Sequence, residues 1–301
     1  MQVKLDLTPE RVIFMLQQAL SKEKEEWNPS LYKTHTLESE DVTAEERDGI
    51  VQWLAELNYQ LRLTPETFFL SVAILDTFFG LVKVKPKYLK CIAISCLFLA
   101  MKICEEDEVV LMAEDLIEVS RCGIKVADLV RMERIIVSKL LWDLKKVTAL
   151  DFLQVFHAFL MFMCPGLLIG QYATGSGGLL CLLTRKLQVC LANHRILQFK
   201  ASTVALSLIS LELEGSLPDW FAITVALQTF AEVEKMEIIR CRELLTQILT
   251  PHYCHDHFVT IRQSQAAKCK MEQADVEEIY DSIKRLYGDE GMFFMGAARE
   301  Q

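Results

Sequence analysis

Three of the six histidines fall within His252-Tyr-Cys-His-Asp-His257, and imidazoles, a thiol and a carboxylate crowded into six residues resemble zinc-ligand chemistry. No second spaced ligand pair accompanies them, so the run reads as a solvated tail past the last helix. The other chemically pointed residues are two charges on apolar ground. Leu99-Ala-Met-Lys102 closes one apolar run, and Arg131-Met-Glu133 opens another that extends through Leu140-Leu-Trp-Asp143. An ammonium and a carboxylate at the rim of a helical core can donate to and accept from a partner's backbone, and such charge-assisted bonds are stronger than neutral ones. The plainer alternative pairs them with each other, or Lys102 with Glu105 or Glu106, as an exposed bridge contributing about 0–1 kcal/mol. Residue types alone favour the bridge.

Catalysis finds no equipment. Gly175-Ser-Gly-Gly178 lacks the Lys of a phosphate loop and a strand before it, which leaves a flexible connection. H-E-x-x-H, C-x-x-C, G-x-S-x-G and the H-R-D and D-F-G signatures of protein kinases are missing from the sequence. A non-catalytic protein without a cofactor is expected. The formal charge of -9 disfavours nucleic acid as a partner, because phosphate binding needs a basic surface. Ten cysteines in a chain of 301 residues, with Cys91, Cys96, Cys181 and Cys190 inside apolar runs, read as reduced, buried thiols of an intracellular protein of nucleus and cytoplasm. Phe152–Ile169 is uncharged and long enough to tempt a membrane assignment. Gln154, His157 and Pro165 interrupt it, so a buried helix and no membrane are expected.

These charges need helices to hold them. Apolar residues recur at helical spacing in nearly every window, without sustained alternation, which predicts an all-α protein. Thr8-Pro9 and Thr64-Pro65 place a capping hydroxyl before a first-turn proline, and Thr43-x-x-Glu46 and Thr148-x-x-Asp151 have the spacing of capping boxes. The spacing predicts an N-terminal helix over 8–27, with a linker completing residues 1–42. Five helices follow, over 43–61, 65–80, 86–103, 109–119 and 125–141, in a unit spanning 43–145. Five more, over 148–164, 178–195, 199–214, 218–230 and 233–250, make a second unit spanning 146–250. The third helix of each set is rich in small and aliphatic residues, which suits the centre of a bundle and suggests a duplication. An offset of about 110 residues places Glu212 opposite Lys102. In the tail, 251–301, a candidate helix over 274–287 carries Ile279, Tyr280, Ile283, Leu286 and Tyr287 on one stripe, to dock in cis or on another protein.

Taken in order, Arg47-x-x-Ile-Val-Gln-Trp-Leu54, Leu75-Asp76-Thr-Phe-Phe79, Pro86-Lys-Tyr-Leu89, Leu99-Ala-Met-Lys102-x-x-Glu-Glu106 and Leu129-Val-Arg-Met-Glu133 resemble the cyclin box. Lys87-Tyr-Leu-Lys-Cys-Ile-Ala-Ile-Ser-Cys96, Arg131-Met-Glu-Arg-Ile-Ile136 and Tyr280-Asp-Ser-Ile-Lys-Arg-Leu-Tyr287 are similar to the cyclin I group in particular. The resemblance implies two tandem five-helix cyclin folds and a regulatory subunit of a cyclin-dependent kinase, the fifth, non-cycling neuronal-type kinase being a candidate. It further implies that Lys102 and Glu133 grip that kinase and that Arg47 and Asp76 form a structural ion pair. A cyclin-fold scaffold that activates no kinase is the alternative. Cyclins that recruit Arg-x-Leu substrates line a shallow groove with apolar residues. Here Glu46 and Gly49 occupy two such positions while Ile50, Trp53 and Glu56 fit, so altered or weak docking of such motifs is expected.

Overall fold

The computed structural model describes residues 8–27, 41–163 and 176–256. Their regular structure is entirely helical. The α-helices run α1 Pro9–Glu26, α2 Ala44–Gln60, α3 Pro65–Leu81, α4 Leu89–Cys104, α5 Ala113–Ser120, α6 Val126–Lys139, α7 Ala149–Met163, α8 Ser176–Leu191, α9 Ala201–Ser216, α10 Trp220–Phe230 and α11 Lys235–Asp256. The candidate tail helix over 274–287 lies outside the described residues, as do the side chains of the His252–His257 run. No described helix is long and apolar enough to cross a membrane.

Each set of five is built around its third helix. Helix α4 touches α2, α3 and α6, and α9 touches α7, α8, α10 and α11. Buried Ala93, Ser95 and Ala100 in α4, and Ser202, Ala205 and Ser207 in α9, let neighbouring backbones approach closely. A single contiguous apolar core runs from Val12 on α1 to Leu249 on α11.

Several boundaries differ from the periodicity, each for a local reason. A 3-10 turn, Pro86–Tyr88, precedes α4. Helix α5 begins at Ala113 because the chain first turns back on itself, with Val109 N–H donating to Glu106 O at 2.8 Å. Helix α8 begins at Ser176, inside the glycine cluster expected to be a connection, and gives way at His194–Gln198 to a 3-10 segment. Helix α11 continues through Pro251 to Asp256, so the histidine run starts within the last helix rather than beyond it. An internal proline forfeits one hydrogen bond and need not end a helix. Because α4 and α9 start at Leu89 and Ala201, the counterpart of Lys102 is Glu214 rather than Glu212. Glu212 instead pairs with Lys186 of α8 at 2.5 Å.

The caps divide similarly. Thr43 and Glu46 form a reciprocal capping box, and Thr148 with Asp151 does the same. Neither Thr8 nor Thr64 caps its helix through its hydroxyl. Glu105, beyond the end of α4, substitutes at α3 by accepting from Thr64 N–H at 2.7 Å, Thr64 Oγ1 at 2.9 Å and Thr67 Oγ1 at 2.5 Å.

Helix α1 belongs with the second set, packing on α7. Its buried Glu23 accepts from Ser202 N–H at 2.8 Å and Ser202 Oγ at 2.6 Å, satisfying the start of α9. Truncation of Glu23 to Ala is expected to cost about 1–3 kcal/mol in urea unfolding, since it strands a buried N–H. Burial pushes the Glu23 carboxyl above its ordinary range, against the opposing pull of Ser202 and Lys200. A raised folded-state pKa means that the folded state holds the proton more firmly than the unfolded one. Its contribution is therefore greatest at acid pH and is lost as pH rises through the raised value. Glu23→Gln should consequently gain on wild type as pH increases through the carboxylate range, measured by unfolding at successive pH values.

Cys91, Cys96, Cys190 and Cys241 are buried, and burial pushes the thiols of Cys190 and Cys241 up to about 12. Cys181, expected inside, is exposed: it lies on the solvent side of α8, whose Leu179 and Leu183 face the core.

Candidate functional site

Lys102 sits in the last turn of α4 and Glu133 midway along α6, the two helices packing side by side. Lys102 Nζ donates to Glu133 Oε1 at 2.5 Å and stands 4.0 Å from the centroid of the Phe98 ring. Neighbouring Glu105 is held at the base of α3 and does not enter the pair. The bridge is formed, and the same geometry leaves hydrogen-bonding capacity over. An ammonium has three donors and a carboxylate two acceptor oxygens. One hydrogen bond joins the two groups, so donors on Lys102 and Oε2 of Glu133 stay unspent among the described residues.

Beyond Glu133 the helix ends abruptly. Leu141 and Trp142 both adopt left-handed backbone, with φ of 53° and 65°, and the Trp142 N–H closes the turn onto Val137 O at 3.0 Å. Left-handed geometry costs a non-glycine residue energy, and consecutive instances need support from their surroundings. Here they turn both side chains outward, leaving Leu141 83% and Trp142 80% exposed. The periodicity carried α6 to residue 141 and therefore assigned no surface role to Trp142. A large aromatic where an apolar run meets Asp143 is the signal it passed over. Exposed aromatic and aliphatic groups past the end of the helix that carries Glu133 are of the kind that anchors interfaces.

Arg47 and Asp76 form a different kind of site. Both are buried, and the guanidinium donates twice to Asp76, from Nε at 2.9 Å and from Nη2 at 2.7 Å. Its Nη1 also reaches Asp48 Oδ1 at 3.2 Å and the carbonyl of Leu191, at the end of α8, at 2.7 Å. Asp48 in turn meets His194 Nδ1 at 2.7 Å. Burial works against the Arg47 charge, yet Asp76 and Asp48 more than offset it and keep the guanidinium more firmly protonated than usual. The cluster ties the first helical set to the second, a link the sequence did not reveal.

Along α2, Glu46 turns its carboxylate back to Thr43 N–H at 2.9 Å, so the helix cap claims it. Ile50 is buried, Trp53 is half-buried against the core, and Gly49 and Glu56 are exposed. A Cβ added at Gly49 would meet nothing within 4 Å. Gly49→Ala is accordingly expected to raise stability by about 1 kcal/mol in urea unfolding, the helix-propensity difference.

Residues 15–145 match the family model described as cyclin, N-terminal domain, which runs from within α1 through the first five-helix set. Cyclin-I2 of Homo sapiens is 35% identical over 258 residues, 85% of this chain and 68% of that protein. The chain belongs to the cyclin family. Cyclin-G1 of Sus scrofa is 32% identical over 212 residues, 70% of each chain. The X-ray structure of a viral cyclin from herpesvirus saimiri superposes with a TM-score of 0.64 at 18% identity, covering 78% of this chain and 96% of that one, which shows the same fold. The resemblance to the cyclin box holds for this cyclin, and the similarity to Cyclin-I2 agrees with the resemblance to the cyclin I group.

Proposed function

We propose that this cyclin binds a cyclin-dependent protein kinase through the face bearing Lys102 and Glu133 and modulates its activity without chemistry of its own. The observation that carries this reading is the pair itself, linked by one hydrogen bond with donors and an acceptor to spare, with exposed Leu141 and Trp142 just past the end of the helix that carries Glu133. A cyclin that binds the active conformation of a kinase more tightly than the inactive one shifts the population toward it. The fifth, non-cycling neuronal-type kinase is the first to test, and nucleus and cytoplasm are the proposed locations.

Titration against a panel of cyclin-dependent kinases, with wild type beside Lys102→Ala/Glu133→Ala, tests the grip. Unchanged binding by the variant would remove it. Binding that leaves kinase activity unaltered would instead establish the non-activating scaffold.

Substrate recruitment is a separate matter. With Glu46 committed to the cap and Gly49 offering no side chain, an Arg-x-Leu peptide is expected to bind more weakly than micromolar in calorimetric titration. Micromolar or tighter binding would overturn that expectation.

A further inference from the structure

The second helical set carries the pair with its charges exchanged. Lys102 is the fourteenth residue of α4, and Glu214 is the fourteenth of α9. Glu133 is the eighth residue of α6, and Arg242 is the eighth of α11. Arg242 pairs with Glu214, donates to Ser210 Oγ at 2.5 Å, and lies 4.8 Å from the centroid of the Trp220 ring. Each charged pair therefore has an aromatic ring beneath its cation.

Exposed apolar side chains stand on the two helices that supply Trp220 and Arg242. Trp220 meets Phe221 edge to face at 5.7 Å, and Phe221 is 65% exposed, with Val225 exposed one turn further along α10. On α11, in the turns before Arg242, Met236 is 50% and Ile239 48% exposed. Side chains of this size, exposed on successive helices, suit a covering segment.

We propose that the chain's own segment Val276–Tyr287 covers this face in cis. Its sequence places Val276, Ile279, Tyr280, Ile283 and Leu286 at helical spacing to meet Phe221, Val225, Met236 and Ile239. Asp281 and Arg285, opposite in sign and four apart, complement Arg242 and Glu214. Reach is ample. Asp256, where α11 ends, lies about 21 Å along the helix from Arg242. The residues between Asp256 and Val276 can span about 60 Å. Tethering also raises the local concentration of the segment to about the millimolar range, so a modest contact suffices.

The test uses the full chain and trypsin cleavage after Lys284 and Arg285. Wild type is expected to be cleaved there about tenfold more slowly than a free peptide of the same sequence, at a rate independent of protein concentration. Phe221→Asp/Ile239→Asp, two changes at exposed positions, should abolish that protection and lower the melting temperature by only a few degrees, the share the docked segment itself supplies. On the opposite side, Ile279→Asp/Ile283→Asp should speed hydrogen exchange in α10. Cleavage of wild type as fast as the free peptide would overturn the proposal, as would protection that survives Phe221→Asp/Ile239→Asp. Protection that grows with concentration would replace the cis contact with one between two copies.

Discussion

Arg47→Ala should lower the stability of this cyclin by about 3–5 kcal/mol, the usual cost of removing one partner from a buried ion pair. The substitution strands Asp76 without its two hydrogen bonds and takes the donor from the Leu191 carbonyl. It also takes Arg47 from Asp48, which keeps His194. Urea unfolding measures the loss. Arg47→Met/Asp76→Leu provides the control: with both charges gone and an apolar filling in their place, most of the stability should return. A single-variant loss below about 1 kcal/mol would mean that the pair is solvated in the free chain, contrary to its burial.

The largest functional effect is expected at Lys102 and Glu133. Truncating either to Ala should weaken kinase binding by about 2–5 kcal/mol, roughly 30-fold to several thousandfold, while changing the stability of the free chain by no more than about 1 kcal/mol. The exchange variant Lys102→Glu/Glu133→Lys is the more searching experiment. It retains an ion pair between α4 and α6 and reverses what the pair presents outward. Were the residues a bridge and nothing else, kinase binding would survive the exchange. A grip on fixed backbone donors and acceptors predicts loss as severe as with the double alanine. Surface plasmon resonance with each variant, alongside thermal unfolding, separates the two.

The helical framework was legible because it rests on local chemistry. Thr43 and Glu46, three positions apart, name their own helix start, and buried Ala and Ser mark α4 and α9 as central whatever surrounds them. The joint between the two sets was not legible. Arg47 and the carbonyl of Leu191 are 144 residues apart, and no spacing rule reaches that far. The left-handed turn at Leu141 and Trp142 escaped for a different reason. An apolar run read by period alone continues a helix, and the outward turn depends on backbone geometry that periodicity does not carry. Glu46 shows how one residue can be assigned correctly in one frame and incompletely in another. The capping box was readable from Thr43-x-x-Glu46, yet its consequence for the groove emerged only once the carboxylate's direction was known.

Glu23 has a bearing on how this protein is made. Its partner Ser202 lies 179 residues downstream, and α7, on which α1 packs, starts at Ala149. During synthesis, therefore, α1 leaves the ribosome well before α7 and α9 and finds its place only after them. The first five-helix set can close on its own local contacts while α1 waits, its Val12, Leu16 and Leu20 uncovered, for a surface not yet translated. That interval is when a chaperone would meet this chain, and a substitution on the apolar stripe of α1 would show itself in the yield of folded protein from a translating ribosome before it showed in the stability of the finished molecule.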